Sequence, residues 1–220
     1  MLEDDKLEDD KLDDDKLDDD IDPAAELELR YRAKAALRQR ARALRNTIPR
    51  SAVIERSARI AARLEGLPAF ASAGTVALFW PIERRNEVDL TPLDAGLRAQ
   101  GKRVAYPAID PETRVMTFRF VDDPAQLEER GLGFREPSAS APEAGSLDVI
   151  VVPALQIDGR GYRIGYGAGF YDRTLPRYAP PALAVGVAFS FQLIAEVPVT
   201  PGDVPLALVI TDEHLITPAQ

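Results

Sequence analysis

Residues 147–173 read LDVIVVPALQIDGRGYRIGYGAGFYDR, and this stretch decides the fold. It opens with a continuous apolar, β-branched run that Pro153 ends. A strand buried on both faces has this pattern, because a strand with one exposed face alternates polar and apolar residues. Residues 184–189 and 207–210 resemble it. The pattern predicts the centre of a parallel sheet.

Helical patterns surround these runs. Asp22 offers a capping acceptor before Pro23, and residues rich in Ala, Leu, Arg and Lys continue to about Asn46. A second helical pattern restarts at Pro49 and stops at residues 66–68. The sequence therefore predicts two helices before the first strand.

The middle of the chain alternates strand and helix. Apolar runs at residues 75–80 and 103–106 are interpreted as strands, and residues 91–101 as a short helix between them. Residues 116–120 and 122–145 are ambiguous, because polar residues, Pro and Gly dominate there. The alternation predicts a single α/β domain with a mostly parallel sheet flanked by helices and a site at the carboxyl edge of the strands.

The acidic charge is concentrated at the amino terminus. Residues 1–22 hold 13 Asp and Glu against three Lys, so they carry −10 of the formal net charge of −9, and the rest is near +1. The Leu residues of the tail recur every five positions, which gives no helical face. Residues 1–21 are predicted to be a disordered tail and 22–220 the domain, with a partner- or metal-binding role for the tail as the alternative.

Composition excludes several classes of function. The chain has no Cys, so disulfides, thiolate nucleophiles and cysteine metal sites are excluded. A nearly neutral body predicts no nucleic-acid partner, although local basic pockets for small anions remain possible. An apolar run long enough for a membrane is missing, so we expect a cytoplasmic protein without a membrane partner or an obligate protein partner. The single histidine, His214, is expected to be structural or solvated.

Five glycines follow the buried strand within eleven residues, at positions 159, 161, 165, 167 and 169. Glycine permits positive φ and close approach of the backbone, so such a loop can offer N–H groups to phosphate oxygens. The spacing fits neither the dinucleotide fingerprint nor the Walker sequence. A flexible loop without a ligand is the alternative.

The segment at 148–173 resembles the signature of the 5-formyltetrahydrofolate cyclo-ligase family: an apolar strand, Pro, a polar loop, then R-[LI]-G-x-G-x-G-[YF]-Y-D. Residues 34–38 (KAALR), 79–93 (FWPIERRNEVDLTPL) and 197–203 (VPVTPGD) match further segments in the expected order. Together the matches cover about residues 30–205. The resemblance implies an enzyme that uses ATP and Mg²⁺ to convert 5-formyltetrahydrofolate to 5,10-methenyltetrahydrofolate, releasing ADP and phosphate.

The resemblance also implies site residues. It implies a metal site at Asp172 and Asp203, catalytic roles for Lys34, Arg38 and Tyr166, and contacts to the folate. The implied ATP-binding residues are Lys34, Ala35, Ala36, Leu37, Arg38, Arg163, Ile164, Gly165, Tyr166, Gly167, Ala168, Gly169, Phe170 and Tyr171. The implied folate-binding residues are Trp80, Glu87, Tyr166 and Phe170. Cations suit a triphosphate, hard carboxylates suit Mg²⁺, and a carboxylate suits the N–H donors of a pterin edge.

From the residues alone, each assignment has a plainer alternative. Lys34 and Arg38 also fit a solvated helix face, Trp80 a core aromatic, and Asp172 a carboxylate at a helix start. Ala168 and Phe170 stand where many family members carry Gly and Tyr, and Ala tolerates positive φ poorly. Two other functions therefore stay open: a folate- or nucleotide-binding protein without turnover, and a related ATP-dependent enzyme acting on a different amide-like substrate.

Overall fold

A computed structural model describes residues 22–82, 84–130 and 133–219, so the predicted tail at 1–21 lies outside the described residues. The helices are α1 (Pro23–Asn46), α2 (Arg50–Glu65), α3 (Pro68–Ser72), α4 (Thr91–Ala99) and α5 (Phe170–Thr174). The strands are β1 (Thr75–Ala77), β2 (Arg103–Ile109), β3 (Met116–Phe120), β4 (Glu128–Glu129), β5 (Arg135–Glu136), β6 (Val149–Pro153), β7 (Gln156–Asp158), β8 (Arg163–Ile164), β9 (Leu183–Val187), β10 (Leu193–Ile194), β11 (Leu208–Ile210) and β12 (Leu215–Ile216).

The central sheet has seven strands in the order β12-β11-β9-β6-β1-β2-β3. Its four inner pairs, from β11 to β2, are parallel, and the two edge strands β12 and β3 are antiparallel to their neighbours. A small sheet joins β10, β7 and β8, and β4 pairs with β5. The predicted fold class, an α/β domain with a mostly parallel sheet flanked by helices, is confirmed.

The inner strands are buried on both faces. On one face, Val76, Val104, Val151 and other strand residues pack against α2, α3 and α4 in one apolar cluster. On the opposite face, Ile150 and its strand neighbours pack with aromatic residues of β3 and of the turn after α5. This double burial explains why the inner strands read as continuous apolar runs.

Several strand ends differ from the prediction, among them those of β1 and β2 at the carboxyl edge of the sheet and that of β9, which ends at Val187 rather than at residue 189. β1 ends at Ala77 rather than at residue 80, because the next residues leave the sheet. β2 continues through Pro107 to Ile109. Proline is tolerated there because β1 pairs with β2 only as far as Ala105, so no β1 residue requires an N–H donor from Pro107. The ambiguous residues 116–120 form the edge strand β3.

The first helix lies apart from the central sheet. The predicted cap is confirmed: the Asp22 carboxylate accepts a hydrogen bond from the Ala24 N–H at 3.0 Å, with Pro23 opening the helix. Ala41 of α1 packs with Leu155 and Ile164 in a third apolar cluster beside the small sheet. α1 therefore runs alongside the glycine loop that follows β8. Among the described residues, no helix is both long and apolar enough to cross a membrane.

Candidate active site

A cavity of about 790 Å³ opens at the carboxyl ends of β1, β2 and β6. Its lining includes Phe79 and Trp80, which follow β1, together with Ile109 at the end of β2 and Pro153 at the end of β6. The chain leaves β1 toward β2 on one side and later returns to β6 on the other, which is the switch point where open α/β sheets bind ligands. The volume suits one large ligand or two that lie in contact.

One face of α1 closes a side of this cavity. Tyr31, Lys34, Arg38 and Arg42 line it at spacings of three and four residues, which places them on the same helix face. Lys34 is 7% exposed; its Nζ is ion-paired with Asp203 and donates to Thr200 Oγ1 at 2.8 Å. A buried ammonium held this way is a fixed positive charge beside the cavity.

Three arginines hold the glycine loop by its carbonyl oxygens. Arg38 Nε donates to Gly165 O at 2.9 Å, Arg42 Nη2 to Tyr166 O at 3.2 Å and Arg173 Nη1 to Ala168 O at 2.9 Å. Burial and the neighbouring Arg42 charge lower the pKa of Arg38. The backbone N–H groups of residues 165–169 have no acceptor within the described part of the chain. The loop therefore carries free donors beside the cavity.

The glycines of this loop differ in backbone conformation and in the space available for a side chain. Gly167 has φ +105°, and a Cβ there would lie 3.3 Å from the Arg38 guanidinium, so a side chain would be strained and would push that arginine. Gly165 lies outside the left-handed region and has nothing within 4 Å of a Cβ. Ala168 also lies outside that region, so the expected conflict between alanine and positive φ does not arise.

The two carboxylates of the implied metal site both line the cavity, and each is tied to a cation through one oxygen. Asp172 Oδ1 accepts from Arg163 Nη2 at 2.9 Å and from Val204 N at 3.1 Å. Asp203 Oδ2 accepts from Lys34 and from Thr200 N at 2.7 Å. Burial lowers the pKa of Arg163, and the Asp172 charge opposes that shift.

The two carboxylates suit Mg²⁺ only if a bound phosphate ligand and water supply its remaining ligands. No cluster of three or more His, Cys, Asp or Glu that could hold a metal occurs in the described ranges. Asp172 Oδ2 and Asp203 Oδ1 accept no hydrogen bond from a described residue. Mg²⁺ is commonly held by one or two carboxylates with phosphate oxygens and water, so these two side chains suit a metal that arrives with a phosphate ligand.

Another part of the cavity lining is apolar and aromatic. Phe79, Trp80, Ile109, Met116 and Phe134 contribute to it. The Trp80 ring meets the buried Tyr106 ring edge-on at 6.0 Å, and the Arg135 guanidinium lies 5.4 Å from the Trp80 centroid. Such a wall suits a flat, partly apolar ring system.

Glu87 and Tyr166 meet at one end of the cavity. The Tyr166 hydroxyl donates to Glu87 Oε1, and Glu87 Oε2 accepts from Ile82 N at 2.7 Å. Glu87 is 5% exposed, yet it lines the cavity. Burial, together with the Glu87 charge, raises the pKa of Tyr166 to about 12, so its hydroxyl stays protonated at neutral pH.

Most of the residues implied by sequence are brought together. The cavity is lined by Lys34, Arg38, Trp80, Glu87, Asp203 and every residue from Arg163 to Asp172. Ala35 and Ala36 lie on the exposed side of α1 and Leu37 packs beside the small sheet, so these three do not line the cavity. Their assignment to an ATP site stays a prediction. His214 also lies elsewhere, 3.4 Å from the Thr211 hydroxyl.

Several lining residues were missed by the sequence reasoning. They are Tyr31, Arg42, Phe79, Ile82, Arg85, Pro107, Ile109, Met116, Phe134, Arg135, Pro153, Arg173, Thr200, Pro201 and Gly202. Helical spacing from Lys34 and Arg38 points to Tyr31 and Arg42, and this signal was available. With them, seven cationic side chains and three carboxylates among the described residues line the cavity, which is thus net positive and suits anionic ligands.

Comparison with known proteins agrees with this geometry. The sequence model of the 5-formyltetrahydrofolate cyclo-ligase family matches residues 30–212. A 5-formyltetrahydrofolate cyclo-ligase of Escherichia coli (strain K12) is 33% identical over 156 residues, which is 69% of this chain and 85% of the relative. The one from Mycolicibacterium smegmatis is 42% identical over 94 residues, covering 41% of this chain and 48% of the relative.

A solved structure agrees as well. The NMR structure of Aquifex aeolicus 5,10-methenyltetrahydrofolate synthetase matches with a TM-score of 0.73 and 31% sequence identity, over 84% of this chain and 92% of that chain. The family match covers most of the chain and includes the glycine loop, α1 from residue 30 onward and both cavity walls. The chain belongs to the 5-formyltetrahydrofolate cyclo-ligase family of enzymes.

Proposed function

We propose that this chain converts 5-formyltetrahydrofolate to 5,10-methenyltetrahydrofolate with ATP and Mg²⁺, releasing ADP and phosphate. The observation that carries the proposal is one net-positive cavity with two unlike walls, one cationic and rich in backbone donors, the other aromatic with a carboxylate at its end. A triphosphate matches the first wall and a reduced pterin the second. Family membership supports the same substrates.

Each wall has an assigned ligand. The triphosphate is assigned to Lys34, Arg38 and the free N–H groups of residues 165–169, because cations and amides stabilise phosphate oxygens. The pterin is assigned to Trp80 and Phe170, with Glu87 accepting hydrogen bonds from ring N–H groups. Phe170 also lies 5.4 Å from the Arg173 guanidinium, so the pterin site borders the cationic wall.

Asp172 and Asp203 would hold Mg²⁺ together with phosphate oxygens. When bound, the metal supplies a positive charge that screens the triphosphate. The protein's own residues supply the rest: Lys34 stabilises charge on the transferred group, and the arginine-held loop keeps its amide donors in place.

The reaction needs activation because a formyl oxygen is a poor leaving group. The formyl oxygen attacks the γ-phosphorus, and the bond from that phosphorus to ADP breaks. Folate N10 then attacks the activated carbon and loses its proton, and the carbon–oxygen bond breaks to release phosphate. Alignment of the two ligands in one cavity is the main contribution of the protein to both steps.

The test is a methenyl-folate absorbance assay with purified protein, 5-formyltetrahydrofolate, ATP and Mg²⁺. We expect product only with all components present, and ADP and product in equal yield. Binding of both ligands without turnover would instead favour a folate- or nucleotide-binding protein. Turnover of other formylated amides but not of 5-formyltetrahydrofolate would indicate a different substrate.

A further inference from the structure

Arg45 lies behind the cavity rather than on its wall, in the last turn of α1. It is 3% exposed, and nothing in the implied site includes it. Burying a guanidinium costs free energy unless a counter-charge and hydrogen bonds compensate it. The groups that contact Arg45 therefore have to compensate its burial.

The guanidinium contacts both polar groups at the pterin end of the cavity. Arg45 Nη2 donates to the Tyr166 hydroxyl, and Nη1 lies 3.6 Å from Glu87 Oε1. The same Tyr166 hydroxyl donates to the same Oε1. Arg45, Tyr166 and Glu87 thus form a closed triangle in which one cation fixes a hydroxyl and a carboxylate relative to each other.

The triangle leaves part of the Glu87 carboxylate free. A carboxylate has about four acceptor sites, and Glu87 uses one on Oε1 for Tyr166 and one on Oε2 for Ile82 N. The two that remain belong to a side chain that lines the cavity. A bound ligand with two adjacent N–H donors can therefore use them without breaking the triangle.

A second link attaches the Glu87 loop to the same end of α1. Asn86 Nδ2 donates to Arg45 O at 3.1 Å and to Ile48 O at 2.9 Å, and Asn86 itself has φ +47°. The Arg45 carbonyl lies in the last turn of α1 and the Ile48 carbonyl just beyond the helix, so both bonds attach the loop to the same end of α1. The Glu87 backbone is therefore docked by Asn86, and its side chain is oriented by Arg45.

We propose that Arg45 is a positioning residue for folate: it orients the Glu87 carboxylate and the Tyr166 hydroxyl so that the free acceptors of Glu87 face the bound pterin edge. The inference rests on the proposed function, because it takes the pterin as the ligand of Glu87. It predicts that loss of Arg45 weakens folate binding selectively and leaves the triphosphate side, which Lys34 and Arg38 serve, intact.

A purely structural role explains the arrangement less well. Buried ion pairs can often be replaced by apolar side chains of similar size without loss of stability. Arg45 Nε has no hydrogen-bond partner among the described residues, so the site is not optimised for stability. The pairing of Arg45 with two cavity-facing groups is what a positioning role requires.

The test measures affinity directly, without turnover. Trp80 is the only tryptophan in the chain and lines the cavity, so quenching of its fluorescence reports 5-formyltetrahydrofolate binding. The variants are Arg45→Met, which keeps the length of the aliphatic stem, and Arg45→Lys, which keeps a charge but loses the planar fork. Arg40→Met, an exposed residue of the same helix, is the matched control. Calorimetry measures ATP affinity in parallel.

We expect the folate Kd to rise at least tenfold in Arg45→Met and less in Arg45→Lys, with ATP affinity within twofold and Arg40→Met unchanged. The double variant Tyr166→Phe, Arg45→Met should lose less folate-binding free energy than the two single variants lose in sum, because both side chains act on Glu87. Folate affinity unchanged in both variants, or folate and ATP affinities falling together with the Tm, would overturn the inference. If Arg45→Met does not fold, Arg45→Lys decides by the same criteria. Wild-type protein that does not bind folate overturns the proposed function itself.

Discussion

The two walls of the cavity are built in different ways. The cationic wall comes from two continuous segments, the face of α1 and the loop after β8, which the chain holds together through arginine–carbonyl hydrogen bonds. The aromatic wall comes from short pieces that follow β1, end β2 and lie at the start of β3 and β5, held mainly by packing. Local sequence therefore specifies the first wall, whereas the second exists only after the sheet has formed.

Carboxylates show a second contrast, between the cavity lining and the segment behind the aromatic wall. The three that line the cavity, Asp203, Asp172 and Glu87, each have a cationic partner, namely Lys34, Arg163 and Arg45. Behind the aromatic wall, the buried Glu136 accepts a hydrogen bond from Ile109 N at 2.7 Å and has no ion pair with a described residue. If the walls serve different ligands, changes on each should affect one substrate and spare the other.

The largest effect is expected for Lys34→Met. This change removes the buried ammonium and leaves Asp203 without its cation, so we expect a loss of about 10²-fold or more in kcat/KM, the size found when one electrostatic stabiliser is removed. The loss should appear in ATP affinity and kcat, and folate affinity should stay within a fewfold. Steady-state kinetics with each substrate varied checks this. Arg32→Met, at an exposed position of the same helix, should behave as the parent.

Asp172→Asn tests the metal assignment on the same wall. It keeps the shape and removes the charge, so we expect about a 10²-fold loss in kcat/KM and a higher Mg²⁺ concentration for half-maximal rate. The Tm should also fall, because Arg163 loses its counter-charge. Asp110→Asn, at an exposed carboxylate that also accepts backbone hydrogen bonds, is the control. Normal turnover with an unchanged Mg²⁺ requirement would remove Asp172 from the metal site.

Gly167→Val should weaken ATP binding by about tenfold, which is ~1.4 kcal/mol. A β-branched side chain opposes φ +105° and lies against the Arg38 guanidinium, so both the loop and the arginine must move. Gly101→Val is matched for positive φ, at +77°, but has nothing within 4 Å and lies far from the cavity lining. Both variants should lose stability, whereas calorimetry should find weaker ATP binding only for Gly167→Val.

Trp80→Leu is the corresponding change on the aromatic wall. We expect the KM for folate to rise by about tenfold, the equivalent of one lost aromatic contact of ~1.4 kcal/mol, with the KM for ATP unchanged. Trp80→Phe should recover part of the loss because a ring remains. Equal increases in both KM values would break the division of the cavity into two walls.

More residues of the cationic wall than of the aromatic wall could be predicted from the sequence to line the cavity, for a physical reason. Residues 34–38 and 163–172 are contiguous, so helical spacing, the glycines and the family signature act within one segment each. Phe134, Arg135 and Met116 reach the cavity only through the pairing of β2 with β3 and the position of β5 beside them, which are long-range contacts. A segment rich in Pro, Gly and polar residues gave no local signal for them.

The same division holds for the fold. The two long helices and the inner strands followed from periodicity and double burial, because those patterns are local. The strand ends could not be predicted in this way. β1 ends at Ala77 and the residues after it, Phe79 and Trp80, line the cavity, which is a feature of the folded chain and not of the local pattern. Nothing in the sequence pointed to Arg45, because a lone arginine in the last turn of a helix is typical of a solvated charge at the helix C-terminus.

The smallest expected effect concerns Glu136 and depends on pH. Burial raises the pKa of the Glu136 carboxyl above its ordinary value, and the Ile109 N–H and the Arg130 charge oppose the shift only in part. Between the ordinary pKa of about 4.3 and the raised folded value, the folded state keeps a proton that the unfolded state has released. Stability from this group is therefore present at low pH and is lost as pH rises through that window.

Glu136→Gln cannot ionise and keeps a carbonyl acceptor for the Ile109 N–H, so it should avoid that loss. We expect its Tm to equal that of the parent near pH 4 and to exceed it by ~1–2 °C at pH 7.5, a shift of the size that a few tenths of a kcal/mol produce in a domain of this length. Glu128→Gln, at the exposed position paired with Glu136 across β4 and β5, should show no such crossover. A Tm for Glu136→Gln below that of the parent at pH 7.5 would mean that the ionised carboxylate, through Arg130, stabilises the segment behind the aromatic wall, and the contrast between paired and unpaired carboxylates would then disappear.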